Sequence, residues 1–165
     1  MSEVPTLVED KTFYPRLVRL AGCLCEELAA AGLETCFCGV VVGASVDLSR
    51  PFDGDGGMGW VRLAGALPSA SQTGIVNPCV AQFQATIEVG YAECISIPDS
   101  DEALTLEEEL EGARRLMAAM AAARRAAMCC DWGASKKALS PASWAPGGPE
   151  GGVIWGTWQF TLEVP

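Results

Sequence analysis

Trp144-Ala145-Pro146-Gly147-Gly148-Pro149-Glu150-Gly151-Gly152, followed by Val153-Ile154-Trp155-Gly156-Thr157-Trp158-Gln159-Phe160-Thr161-Leu162-Glu163-Val164, is the stretch that decides the fold. The first nine residues hold two prolines and four glycines, a composition that reads as a stiff loop able to form neither helix nor ladder. The next twelve alternate. Ile154, Trp158, Phe160, Leu162 and Val164 share one parity, and Trp155, Thr157, Gln159, Thr161 and Glu163 share the other. That is the pattern of a half-buried strand. A strand this apolar at the end of the chain requires a sheet to receive it.

Working back from it, Ala81, Phe83, Ala85, Ile87, Val89 and Tyr91 alternate with Gln82, Gln84, Thr86 and Glu88, a strand with one packed and one polar face. Residues 59–67 read as another strand, stopped by Pro68. The valine-rich run 36–43 reads as a strand buried on both faces. Between these lie two long loops, 46–58 and 68–79. Helices flank the strands. Leu17, Leu20, Ala21, Leu24 and Leu28 recur at helical spacing, with Pro15 in a first turn and Gly32 placed to end the helix, which gives a helix over 13–31. A second helix opens with a capping box at Thr105 and Glu108 and ends near Cys129-Cys130-Asp131. Its expected buried stripe is Leu106, Leu110, Ala113, Met117 and Met120, with Ala127 or Met128 beyond, and Glu111 is expected to reach Arg115 one turn on. Residues 1–12 read as a flexible arm and 13–165 as a single domain. The order predicts an α+β fold: a mostly antiparallel sheet of four or slightly more strands, with two helices packed on one face and long inter-strand loops.

Composition narrows the function. The 165 residues carry a formal charge of −10, from 21 acids against 11 bases, which disfavours tight binding to a nucleic-acid backbone but lets DNA pass nearby without sticking. There is no histidine, which removes Ser-His and Cys-His nucleophile pairs and imidazole metal ligation. No catalytic group, cofactor or metal site is expected. The eight cysteines follow no apparent secretory leader, so they read as reduced, buried or half-buried thiols rather than a zinc site, since no Cys-x-x-Cys occurs. Cys129 and Cys130 are poorly placed to bridge each other; a bridge from one of them to Cys79 or Cys94 in an oxidised particle stays open. A thiol- or metal-dependent enzyme is the remote alternative. Asp53-Gly54-Asp55-Gly56-Gly57 lacks the later ligands of a calcium loop and reads as a tight turn. The glycines of 147–152 precede a strand rather than a helix, which excludes a phosphate cradle. No run is long and apolar enough to span a membrane.

Trp155 falls on the otherwise polar parity, where a large aromatic is as readily an interface residue as a core one. Trp144 beside the closing loop, Arg50 and Phe52 in the first long loop, and Lys136 and Lys137 after the second helix complete the candidate subunit-interface set.

Cys129-Cys130 at the end of a helix, then the Trp-x-Pro-x-Gly-Pro-x-Gly-Gly loop of 144–152, then the closing strand Trp158 to Val164 resembles the neck and tail-terminator proteins of siphophages of actinobacteria. The upstream order is similar too, with Trp60-Val61-Arg62 on a strand and Glu88-Val89-Gly90 near the end of the next. The pattern carries a cysteine after the Gly-Gly pair where this chain has Val153, so no disulfide is carried over there. The resemblance implies a non-enzymatic virion component, assembled in the host cytoplasm: a tail terminator that forms a ring, a hexamer in that family. Such a ring caps the tail tube protein, meets the head-side connector or stopper, and lets genomic DNA through its lumen. The nearest alternative is a head-to-tail stopper or adaptor of the same neck.

Overall fold

The computed structural model describes residues 12–48, 56–68, 83–95, 104–135, 137, 139–140, 143–150 and 152–164. In chain order these form α1 (Tyr14–Ala30), β1 (Thr35–Val40), β2 (Gly57–Pro68), β3 (Phe83–Cys94), α2 (Leu106–Cys129), β4 (Leu139–Ser140), β5 (Trp144–Glu150) and β6 (Val153–Val164). The fold is α+β, as the sequence predicts, with one six-stranded mixed sheet. The N-terminal arm and the centres of both long loops lie outside the described residues.

The sheet runs β1-β2-β3-β6-β4, with β5 also paired to β6. β6 is central. One edge of it pairs with β3 over the full length of both strands, from Phe83↔Val164 to Cys94↔Val153. Its other edge is shared between β5, over Trp144↔Trp158 to Glu150↔Val153, and β4, at Leu139↔Leu162 and Ser140↔Thr161. All these pairs are antiparallel, as is β2 with β3; only β1 runs parallel to its neighbour, β2.

The expectation that 144–152 joins no ladder is corrected. Prolines 146 and 149 lack an N–H, but β5 borders only β6, and an edge position tolerates a missing donor. The register shifts between Gly147 and Glu150 as the chain passes the cis Gly148-Pro149 bond. β1 is corrected as well. It is an edge strand, exposed or half-buried along its length rather than covered on both faces.

Both helices pack on one face of the sheet, over Val61, Ala85, Ile87, Val89, Tyr91, Phe160 and Leu162. α1 contributes Leu17, Leu20, Ala21, Leu24 and Leu28, the stripe read from sequence, and Gly32 ends it with φ 74°. α2 begins with the expected capping box, in which the Glu108 amide donates to Thr105 Oγ1 and the Thr105 amide donates to the Glu108 carboxylate.

The stripe expected on α2 holds at its end, where Ala127 is buried and Met128 packs against the core, but not over its first turns. The buried residues of α2 are Ala119, Ala122, Ala123, Ala126 and Ala127, whereas Leu106, Leu110 and Met117 are 72%, 61% and 60% exposed. At about 100° per residue, the Leu106-Leu110-Ala113-Met117 line lies roughly opposite the alanine face. Helix and sheet approach closely only across small side chains, and alanine supplies that surface.

The second face of the sheet is also corrected. The parity of β3 read as polar holds Glu88, Gly90 and Ala92, all buried. Residues of the 41–48 segment cover them, with Val41, Val46 and Leu48 packing beside Met58 and Trp155 on a small cluster of Trp60, Ala92 and Val153.

Four of the cysteines are paired. Cys23 bridges to Cys130 with Cα atoms 6.2 Å apart, and Cys25 bridges to Cys38 at 5.8 Å. The reading of the cysteines as reduced thiols is thereby overturned for these four. Cys23 and Cys25 point about 200° apart around α1, so each meets a different neighbour, one the end of α2 and the other β1. Cys36, Cys94 and Cys129 are free and exposed; Cys94 therefore bridges neither Cys129 nor Cys130, and Cys79 lies outside the described residues.

Candidate functional site

Three tryptophan rings of the sheet lie on glycines, and two belong to the closing hairpin. Trp60 stands on Gly90, its partner across the β2–β3 ladder; Trp155 stands on Gly147, its partner across β5–β6; Trp144 stands on Gly156. A Cβ at any of these glycines would fall within the facing ring. Trp144 also meets Trp158 at 5.9 Å between ring centroids, and Trp158 stacks on Phe160 at 6.1 Å. Both hairpin tryptophans are thus half-buried by their own chain, Trp144 on the helix-bearing face and Trp155 on the other. Among the other candidate interface residues, Lys137 is exposed, while Arg50, Phe52 and Lys136 lie outside the described residues.

Beyond the hairpin, the first half of α2 overhangs the end of the sheet and leaves a groove of about 1580 Å³. Ile95, Ile154 and Leu116 line it, together with Pro146, Gly147 and Pro149 of β5. Gly112 faces its base, where an added Cβ would meet Ile154 at 3.5 Å. The ionic centre of the groove is Glu93, buried at the end of β3. It accepts from Tyr91 Oη at 2.9 Å and from Arg115 Nε at 2.9 Å. Arg115 is therefore turned inward, and Glu111 pairs instead with Arg114 three residues on, which corrects the expected Glu111–Arg115 contact. Burial pushes the Tyr91 phenol well above its ordinary range, and the adjacent Glu93 charge pushes it further. Tyr91 is a hydrogen-bond donor here, and its geometry orients Glu93.

A second ionic cluster lies on the opposite face. Arg62 and Glu88 form a two-pronged pair, Nε to Oε1 at 2.7 Å and the second guanidinium nitrogen to Oε2 at 2.8 Å. Trp60 Nε1 donates to the same carboxylate at 3.1 Å and Gln159 at 3.3 Å. Burial alone would raise the Glu88 pKa, but the hydrogen bonds from Arg62 and Trp60, the Arg62 charge and the Gln159 contact outweigh it and hold it below the ordinary value. The remaining Arg62 nitrogen donates to the carbonyls of Gly43 and Ala44 and so fastens the 41–48 segment over the sheet. Among the described residues no buried side-chain polar atom lacks a hydrogen-bond partner, and the cluster braces β2, β3, β6 and the 41–48 segment against one another.

Neither cluster was named from sequence. Glu88 and Gln159 fall on parities that read as solvent-facing, and only cross-strand alignment reveals the cluster: Arg62 is opposite Glu88, and Glu88 is opposite Gln159. Among the described residues, no group of three or more Cys, Asp or Glu is arranged to hold a metal ion. The described residues form a small α+β fold in which Leu106, Leu110 and Met117 of α2 are exposed. No protein-family model matches the chain, and no curated protein sequence matches it.

Proposed function

We propose that the chain is a ring-forming structural protein of a siphophage neck, of the tail-terminator type, joining the tail tube to the head-side connector. The observation that carries this reading is the outward line of Leu106, Leu110 and Met117 on α2. A monomer gains nothing by presenting three large apolar side chains in one row to water, and such rows mark surfaces that another macromolecule covers. The resemblance of the 129–164 region to terminator proteins supplies the kind of assembly. The acidic balance of the chain fits a lumen that DNA crosses without adhering.

Cryo-electron microscopy of the neck, with mass spectrometry of purified particles, tests the proposal. A hexameric ring of this chain at the top of the tail tube is expected. Absence from particles overturns the proposal, and a dodecameric ring against the portal replaces it with the adaptor reading.

A further inference from the structure

The row on α2 lies between two acids. At helical spacing Glu107 falls on one side of the Leu106–Leu110 line and Glu109 on the other, both exposed and without an ion pair among the described residues. The opposite end of the helical layer has the reverse charge. α1 runs antiparallel to α2, since Cys23 joins Cys130 and Glu27 pairs with Arg125, so the start of α1 lies beyond the end of α2. There Tyr14 and Val18 are 58% and 44% exposed. Arg16 and Arg19 converge on Gly133, where an added Cβ would lie 3.8 Å from Arg16 Cγ and 3.4 Å from the Arg19 guanidinium. Asp131 accepts from the Gly133 amide at 3.2 Å. Arg16 and Arg19 make no ion pair among the described residues. About 36 Å of helix separates the two patches at 1.5 Å per residue.

We infer that the acidic, leucine-bearing half of α2 docks on the basic start of α1 in a second copy of the chain, an inference that rests on the ring reading above. Two like ends repel, whereas unlike ends match in charge and in apolar content. The contact is therefore head-to-tail, and each copy keeps one free end of each kind until a ring closes. Charge sets the pairing direction, and Leu106 and Leu110 against Val18 supply the desolvated centre.

Two charge-reversed proteins test this by native mass spectrometry and light scattering. Arg16→Glu with Arg19→Glu makes both ends acidic; Glu107→Lys with Glu109→Lys makes both ends basic. Each alone is expected to associate at least about tenfold more weakly than the wild type, and an equimolar mixture to recover assembly, because every junction is again opposite in charge. Leu106→Ser with Leu110→Ser, at exposed positions that leave the core untouched, is expected to abolish assembly without loss of near-ultraviolet circular dichroism. Reversals that assemble alone, or a mixture that stays monomeric, overturn the docking. Wild-type protein that stays monomeric at the highest concentrations reached overturns it too. If rings form but ignore these substitutions, only the docking surface is wrong; absence of the chain from particles is the separate failure of the neck reading.

Discussion

The two halves of α2 differ in what they touch, and hydrophobicity predicts the difference backwards. The second half, from Ala119 onward, buries five alanines against the sheet and α1. It is further held by Trp158 Nε1 donating to the Met120 carbonyl, Trp132 Nε1 donating to the Ala127 carbonyl, the Glu27–Arg125 pair and the Cys23–Cys130 bridge. The first half leaves Leu106, Leu110 and Met117 in water, with Gly112 and Arg115 turned toward the sheet. Small residues mark where the helix and sheet backbones approach; Leu106, Leu110 and Met117 lie away from that contact.

The largest test of that contrast removes the tether of the buried half. Cys130→Ser opens a covalent loop with a sequence separation of 107, and chemical denaturation is expected to show a loss of about 4 kcal/mol. If the loss is near zero, the bridge does not hold the second half.

Glu88 lies under neither half, so it serves as a reference for buried polar bracing. Glu88→Gln leaves Arg62 facing an uncharged partner and is expected to cost about 3 kcal/mol. Because the folded Glu88 pKa is lowered, its contribution is complete above the ordinary carboxylate range and fades as pH falls through the lowered folded value. Wild-type stability should therefore fall more steeply than that of Glu88→Gln on acidification; parallel curves would remove the pair from the acid response.

Within α2 itself, Ala122→Leu crowds a fully buried contact and is expected to cost about 2 kcal/mol. The matching change in the outer half, Leu110→Ala, is expected to alter monomer stability by less than about 0.5 kcal/mol while weakening association. Equal effects at the two positions would erase the distinction.

The same contrast shows what was legible in the sequence. Periodicity alone located α1, its buried leucines and its Gly32 terminus, and the Thr105–Glu108 box fixed where α2 starts. Periodicity also found a true stripe on α2, but chose its side by residue size, and an alanine face carries too little hydropathy to compete. β3 was legible as a strand, and its buried Glu88 was not, because a carboxylate on the polar parity looks solvated until Arg62 and Trp60 are placed beside it. The disulfides depend on which elements become neighbours, information absent from cysteine spacing. Trp155 was readable as an aromatic on the unexpected face; that it covers Gly147 depends on β5 pairing, which the prolines concealed.

The central place of β6 bears on how the protein is made. It follows every other described strand in the chain, yet β3, β4 and β5 all pair with it. During synthesis the long edge of β3 therefore stays open until the ribosome has released the closing strand. A product that stops short of β6 would display that edge to other nascent chains, so synthesis through β6 becomes a condition for escaping edge-to-edge aggregation.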